Sequence, residues 1–221
     1  MLLHARLRER VQGWGLSTYA RWVGRTARLQ IEGAEHMAQA RATGRSVILA
    51  AWHGMTMMLS IYIRTHDDPS QYTVIVPNDT RGATLSVWIK KLGGVAFPVS
   101  MDDVTIASGR RLLQLIREMR RGKYLYLNPD GPDGPTHQPK MGVVFVAHKV
   151  GALLVPAAAY TKTCYRVRRW DRYTVPLPFS RIVFYLGLPM EVEGNAETAR
   201  CTIRARLNEA ERTAQSLYEA S

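Results

Sequence analysis

The chain has 221 residues, of which 46% are hydrophobic and 22% charged, the composition of one globular domain with a buried core. No run reaches the roughly 18 apolar residues that cross a bilayer, and Arg6, Arg8 and Arg10 interrupt any signal-peptide core. The formal net charge of +12 favours an acidic partner such as nucleic acid, an anionic membrane surface or a phosphate-bearing substrate or carrier. We therefore expect a cytoplasmic protein, peripheral on the inner face of the cell membrane.

The first thirty residues predict a basic amphipathic helix. Arginines alternate there with apolar residues at helical spacing, which are Leu3, Leu7, Val11 and Trp14. Such a helix either lies in a membrane interface or packs on the domain with solvated arginines, and the sequence leaves both interpretations open. We assign residues 1–30 to this helix region and 31–221 to one α/β domain.

Strands and helices are predicted to alternate along the rest of the chain. Short segments rich in β-branched and aromatic residues predict strands at 46–52, 72–77, 95–99, 123–129 and 153–160. Helices are predicted at 82–92, 105–121, 141–150 and 195–219, the last with Asn195 as its N-cap. This alternation predicts an α/β fold with a single-domain layered sheet, largely parallel and flanked by helices.

Polar residues follow the first four predicted strands. His53 comes just after the first, Asn78 and Asp79 after the second, the segment 99–103 after the third and 128–135 after the fourth. In an open α/β sheet, ligands bind beyond the carboxyl ends of the strands, so parallel strands would bring these four loops to one edge. We therefore expect the functional site there.

Each of these signals is weak alone. A lone histidine is more often structural than catalytic, although Gly54 removes side-chain bulk beside His53 and would let a ligand approach. The segment "PDGPDGP" is either a series of rigid turns or a loop whose glycine amides point into the site, with Asp130 fixed by the prolines. The other histidines lack a comparable setting.

Several other chemistries have no matching pattern. The sequence holds no nucleophile elbow, phosphate-binding P-loop or paired-histidine zinc motif. Cys164 and Cys201 are isolated, which predicts neither a zinc site nor a disulfide framework, and we expect no cofactor. No nucleic-acid-binding motif accompanies the positive charge, so we expect no nucleic-acid partner. General-base catalysis by His53 is the simplest hypothesis.

Four segments in order, "AAWHGM", "PDGPDGP", "GALLVPAAAY" and "RRWDRYTVPLPFSR", resemble the lysophospholipid acyltransferase superfamily. They are most similar to a bacterial branch with a W-H-G segment, a P-D-G-P-R-G-P loop and a W-D-x-[FY]-x-x-P-x-P-F segment. The likeness covers roughly residues 25–190. It implies the glycerolipid-acyltransferase fold and transfer of an acyl group, other than aminoacyl, from a thioester. The donor would be acyl-carrier protein or coenzyme A, and the acceptor a hydroxyl or amine of a lipid-like or small molecule.

The resemblance also implies roles for individual residues. His53 corresponds to the general base, which would deprotonate the acceptor. The superfamily's third block corresponds to Pro129, Asp130, Gly131 and Pro132, its fourth block to Pro156, and its second block to Gly93, Gly94 and Phe97. Amides of the 131–134 loop, including Asp133 and Gly134, would hold the oxyanion, and Arg81 would hold a phosphate.

The chain departs from the family pattern at several positions. Met58 occupies the usual place of the acid that orients the histidine, so the acid is expected to be Asp79, which corresponds best to the branch's D-G-E aspartate, or else Asp130. Asp133 replaces the arginine of P-D-G-P-R-G-P, which suggests a neutral or cationic acceptor. Ser100 and Asp102 receive no role.

Two further questions stay open from the sequence. An apolar tunnel lined by Met55, Met57, Met58 and Leu59 would select acyl length, although core packing explains these residues equally well. A non-catalytic lipid- or acyl-carrier-binding protein that retains the fold is the alternative to an acyltransferase, and a nucleic-acid-binding protein is supported by charge alone.

Overall fold

The computed structural model describes the backbone of residues 2–99 and 106–220 and the side chains of 7–99 and 109–220. Its strands are β1 (Arg28–Glu32), β2 (Val47–Ala50), β3 (Tyr72–Pro77), β4 (Val95–Val99), β5 (Tyr124–Leu127), β6 (Leu153–Tyr160), β7 (Cys164–Arg166), β8 (Thr174–Pro176), β9 (Arg181–Leu186) and β10 (Met190–Glu191). Its helices are α1 (Leu2–Thr26), α2 (Ala34–Ala42), α3 (Thr56–His66), α4 (Thr80–Leu92), α5 (Ile106–Arg120), α6 (Met141–Val150) and α7 (Ala196–Glu219).

Eight of the strands form one mixed, mostly parallel sheet in the order β1-β9-β6-β2-β5-β3-β4, with β10 beside β6. The central strands β2, β3, β4, β5 and β6 run parallel to one another, whereas β9 and β10 run antiparallel to β6. All four residues of β2 are buried, which accounts for its unbroken apolar run. Strands β7 and β8 form a separate antiparallel hairpin.

The predicted fold class is confirmed, and several elements have the predicted bounds. Strands β3, β4 and β6 and helix α6 match residue for residue. Asn195 caps α7 as expected, since its side chain accepts hydrogen bonds from the amides of Glu197 and Thr198. Strands β1, β9 and β10, helices α2 and α3 and the β7–β8 hairpin were not predicted from the sequence.

Helix α1 packs on α3 and α4, and two glycines allow the close approach. A Cβ on Gly13 would lie 2.6 Å from the carbonyl oxygen of Thr84, and one on Gly24 would lie 3.2 Å from methyl groups of Ile61 and Thr65. The opposite side of α1 exposes apolar side chains, which are Leu7, Val11, Trp14 and Trp22. In the portion of the chain described, no helix combines the length and apolar character needed to cross a membrane.

Candidate active site

His53 stands just past the carboxyl end of β2, where its backbone is held on both sides. Its amide donates a hydrogen bond to Oδ1 of Asp130 at 2.9 Å, and its carbonyl oxygen accepts one from the hydroxyl of Thr56 at 2.7 Å. A short 3₁₀ turn, His53–Met55, then leads into α3. The strand end, the turn and the two hydrogen bonds together fix the position of the His53 backbone.

The imidazole of His53 is paired with a carboxylate from a distant segment. Its Nδ1 lies 2.7 Å from Oδ2 of Asp171, although 118 residues separate the two in sequence. Asp171 belongs to the loop of the β7–β8 hairpin, and its side chain is fully buried. An ionised carboxylate accepts a hydrogen bond from Nδ1–H, and in this tautomer of the neutral imidazole Nε2 is the nitrogen that can accept a proton.

Two further groups hold Asp171 in place. The guanidinium of Arg169 lies 3.0 Å from Oδ2, and the amide of Tyr173 donates to Oδ1 at 3.3 Å. A buried carboxylate without such partners would be strongly destabilising, so Arg169 and the Tyr173 amide stabilise the charge that faces His53. Histidine, aspartate and arginine thus form one connected array.

Asp79, expected from the sequence to orient His53, instead caps α4. Its side chain accepts hydrogen bonds from the amide of Gly82 at 2.9 Å and from Nε of Arg81 at 2.8 Å. The Gly82 hydrogen bond is the main reason that the pKa of Asp79 is lowered. An aspartate directly before a helix favours this use, because the first helical amides lack partners within the helix.

Asp130, the second expected acid, binds backbone amides rather than the imidazole of His53. Its carboxylate is buried and accepts hydrogen bonds from the amides of His53 and His137, the latter at 3.2 Å. Burial raises the pKa of Asp130, although the two amide hydrogen bonds oppose the shift. The carboxylate paired with the imidazole is therefore Asp171, which the sequence analysis missed. Its one signal was the W-D pair of the fourth quoted segment.

Three glycines let segments that are distant in the sequence pack closely around His53. A Cβ on Gly54 would overlap the carbonyl oxygen of Asp171, and a Cβ on Gly131 would lie 2.7 Å from Cδ2 of His53. Gly134, which has a φ of +75°, lies under the ring of Trp170, where a Cβ would lie 2.7 Å from the ring. Gly54 therefore accommodates the protein's own backbone rather than an approaching ligand.

An apolar cavity of about 620 Å³ opens onto His53 and continues between α1, α3, α4 and β3. Its walls include Leu16, Ile63, Val74, Leu85, Trp88 and Tyr126. Thr56, Ser60 and Ile63 face it from α3 at the spacing of one helix side. Asn128 lies in the cavity wall next to the site, and its side-chain carbonyl, 3.1 Å from the Thr56 hydroxyl, shares that hydroxyl's hydrogen with the His53 carbonyl.

Several expected lining residues lie elsewhere. Among the described residues, the cavity wall includes Gly131, Pro132, Asp133 and Arg81 but excludes Gly54, Gly134 and Pro156. Pro156 is buried in the middle of β6, opposite Ala50 of β2. The expected tunnel residues Met55, Met57, Met58 and Leu59 are instead buried in the core. Met57 and Met58 occupy the side of α3 that points away from Ser60 and Ile63.

At the rim of the cavity near His53, both arginines are paired with carboxylates. Arg81 binds Asp79 and also reaches Oδ1 of Asp133 at 3.2 Å, so this guanidinium is shared by two carboxylates. Arg169, also at the rim, is paired with Asp171. The arginine that the sequence analysis assigned to a phosphate is therefore already neutralised within the protein.

Most amides of the 131–134 loop are used inside the loop. Gly131 donates to the carbonyl of Asn128 and Gly134 to that of Asp130, both at 3.1 Å. Pro132 has no amide hydrogen. Within the described residues, the amide of Asp133 has no hydrogen-bond acceptor in the protein.

The remaining predicted positions either lie away from His53 or fall outside the described residues. Gly93 ends α4 with a φ of +103°, Gly94 lines the cavity at its far end, and Phe97 is buried in β4. Ser100 and Asp102 lie outside the described residues, so the segment 99–103 stays a prediction beyond Val99.

No family model matches the sequence, but the chain is similar to a known protein in sequence and to a solved structure in fold. An uncharacterized protein of Rickettsia prowazekii (strain Madrid E), RP090, is 27% identical over 146 residues, which is 66% of this chain. The match spans 64% of that relative's length. The crystal structure of the 1-acyl-sn-glycerophosphate (LPA) acyltransferase PlsC from Thermotoga maritima superposes with a TM-score of 0.57 at 16% identity, over 98% of this chain and 86% of that one. The chain therefore has the fold of that acyltransferase.

Proposed function

We propose that this protein is an acyltransferase in which His53 is the general base and Asp171 orients it. The observation that carries the proposal is the 2.7 Å contact between Nδ1 of His53 and a fully buried carboxylate, at the mouth of a long apolar cavity. The shared fold with an LPA acyltransferase supports the same reaction class. The donor is a thioester of acyl-carrier protein or coenzyme A, and the acceptor is a hydroxyl or amine of a lipid-like or small molecule.

The proposed step moves one proton and exchanges one bond at carbon. Nε2 of His53 takes the proton from the acceptor as its oxygen or nitrogen bonds to the thioester carbonyl carbon. The resulting tetrahedral oxyanion collapses, the carbon–sulfur bond breaks, and the imidazolium returns its proton to the leaving thiolate. Asp171 stabilises the imidazolium while it exists. General-base assistance of this kind contributes about 10²–10⁴ in rate.

A hydrogen-bond donor is needed to stabilise the negative charge that develops on the carbonyl oxygen. The amide of Asp133 is the candidate, because the other amides of its loop are committed or absent. The cavity walls suit the acyl chain, since burying hydrocarbon against Leu16, Ile63 and Leu85 is favourable in proportion to the area removed from water.

The acceptor is proposed to be neutral or cationic in the region next to its reacting group, which itself attacks as an uncharged hydroxyl or amine. Arg81 already shares its charge between Asp79 and Asp133, so it offers little to an acceptor phosphate next to the reacting group. A panel of acceptors separates the cases. Efficient acylation of lysophosphatidic acid, with none of a neutral or amine acceptor, would rule out this specificity.

The acyl-transfer proposal is tested with labelled acyl-carrier protein and acyl-coenzyme A in a lipid extract. His53→Ala is expected to lose about 10²–10⁴ in rate, whereas His148→Ala, an exposed position on α6, is expected to keep the wild-type rate. Equal rates for His53→Ala and wild type would disprove the base. Binding of the acyl carrier without turnover by the wild type would instead support the non-catalytic alternative.

We also propose that α1 contacts an anionic membrane through its exposed side. Leu7, Val11, Trp14 and Trp22 are exposed there, and Arg8, Arg10, Arg21 and Arg25 are exposed on the same helix. Tryptophans beside basic residues are typical of helices that lie in a membrane interface. This contact would keep the cavity near its lipid substrates.

A further inference from the structure

A second, smaller cavity lies where α1 meets α3. Its volume is about 270 Å³, and its wall combines three arginines with four small or apolar residues, namely Arg21, Arg25, Arg64, Ala20, Ile61, Thr65 and Leu92. Gly24 brings the two helices together at this point. Three arginines from two helices therefore line one small concave space.

The three arginines are not neutralised by acidic side chains. In the described part of the chain, none of Arg21, Arg25 and Arg64 forms an ion pair with a carboxylate, and Arg21 donates to the backbone carbonyl of Lys91. Arg25 and Arg64 lie in the last turns of their helices, where a cation offsets about half a negative charge per helix end. Three full charges exceed that compensation, which leaves the cavity cationic.

The cationic cavity adjoins the large apolar cavity but is remote from His53. Arg64 and Leu92 line both cavities. Thr56, which binds the His53 carbonyl, and Arg64 are eight residues apart on α3, about 12 Å at the helical rise of 1.5 Å per residue. An anion held here is therefore not a phosphate adjacent to the reacting hydroxyl.

Exposed aromatic side chains surround the same end of α1. Trp22 is exposed next to Arg21, and Phe179 is 72% exposed beside Thr26, whose hydroxyl accepts the Phe179 amide hydrogen at 3.3 Å. Phe179 also has a φ of +64°, a conformation that costs energy for a bulky residue and is often kept for function. Arginines with exposed aromatic rings match the chemistry of a lipid surface.

We propose that Arg21, Arg25 and Arg64 form a binding site for the phosphate of an anionic membrane lipid headgroup. Guanidinium groups bind phosphate oxygens with charge-assisted, often bidentate hydrogen bonds, and three arginine side chains line this cavity. This site would specify which lipid group α1 binds at the membrane, so its biological purpose rests on the membrane contact in the proposed function. Its test is binding alone, so it succeeds or fails independently of turnover.

The test compares two charge-matched triple variants of the full chain on vesicles. The cluster variant carries Arg21→Gln, Arg25→Gln and Arg64→Gln. The control variant carries Arg110→Gln, Arg117→Gln and Arg204→Gln, which are exposed arginines on α5 and α7 without ion pairs in the described structure. Circular dichroism and thermal unfolding first establish that both variants remain folded. Vesicles contain phosphatidylcholine alone, with phosphatidic acid, or with oleate at equal surface charge.

Wild type is expected to bind phosphatidic acid vesicles more tightly than oleate vesicles. The cluster variant should lose about 100-fold in affinity for phosphatidic acid vesicles, since each arginine near an anionic membrane contributes about fivefold. The control variant should lose less than about threefold. Equal losses in both variants, or equal binding to phosphatidic acid and oleate vesicles, would overturn the site. Saturation by inorganic phosphate without preferential vesicle binding would identify free phosphate as the ligand and overturn the lipid assignment.

Discussion

Gly54 lies so close to the backbone of Asp171 that a Cβ at this position would overlap the Asp171 carbonyl oxygen. The glycine follows His53 directly, while Asp171 supplies the carboxylate that binds the His53 imidazole. The absence of a side chain at position 54 therefore sets how closely the hairpin loop of β7 and β8 can approach the histidine. The orientation of the His53 imidazole therefore depends on the contact between Gly54 and the backbone of Asp171.

Gly54→Ala is expected to lower acyl transfer although it alters no reacting group. The added methyl group must displace the Asp171 loop, because backbone atoms rather than a flexible side chain oppose it. A shift of about 1 Å in a positioned group can cost about 100-fold in rate. Initial rates measure the effect, and Gly142→Ala, where a Cβ meets nothing within 4 Å, is the control. Wild-type activity in Gly54→Ala would contradict the close packing.

Asp130→Asn tests the carboxylate that holds the backbone of His53. A carboxylate accepts hydrogen bonds on both oxygens, whereas an amide has one oxygen and must turn its NH₂ group toward the amide of His53 or His137. A buried donor left unpaired costs about 1–3 kcal/mol, partly offset because Asn carries no buried charge. We expect lower urea stability and lower activity. Asp68→Asn, at an exposed turn, serves for comparison, and an equally small effect in both would contradict the clamp.

The fold was largely predictable from sequence because it depends on local patterns. Apolar runs with β-branched residues marked β3 and β6, and the helical spacing marked α7 with its Asn195 cap. The position of His53 directly after a predicted strand also indicated that it belongs to the site. Asp171 escaped prediction because its pairing depends on tertiary packing between two loops that are 118 residues apart. Asp79 was misleading because an aspartate before a helix serves equally well as a cap.

Ser60→Phe tests whether the large cavity holds the acyl chain. Ser60 faces the cavity from α3, so a phenyl ring there would occupy space that the proposed chain uses. We expect the preferred acyl length to shorten, with activity on short chains retained. Rates across a series of acyl lengths measure the shift, and Ser216→Phe, on an exposed part of α7, controls for the added ring. An unchanged chain preference would show that the acyl chain binds elsewhere.

Glu211→Gln is expected to change how stability depends on pH. Burial raises the pKa of Glu211 above its ordinary value of about 4.3, although His137 opposes the shift. Between its ordinary pKa and its raised pKa, Glu211 is protonated in the folded protein but ionised in the unfolded chain. The folded protein therefore binds more protons, and this group lowers the free energy of unfolding as pH rises through that range. The variant lacks this loss.

The Glu211 prediction is measured by urea unfolding between about pH 4 and pH 8. The stability of Glu211→Gln relative to wild type should increase with pH across the lower part of this range. Glu209→Gln, exposed on the same helix, should show no comparable trend. A constant difference between Glu211→Gln and wild type at every pH would contradict the raised pKa.

The measurement that tests the central claim most directly is the acyl-transfer rate of Asp171→Asn. The amide cannot stabilise the imidazolium of His53, so the rate should fall about 10²–10⁴ while the protein stays folded. Asp67→Asn is the matched control, because Asp67 is another nearly buried aspartate paired with an arginine, Arg41. Both variants should lose stability, but the control should retain its activity. Equal rates for Asp171→Asn and Asp67→Asn would contradict the role of Asp171 in orienting His53.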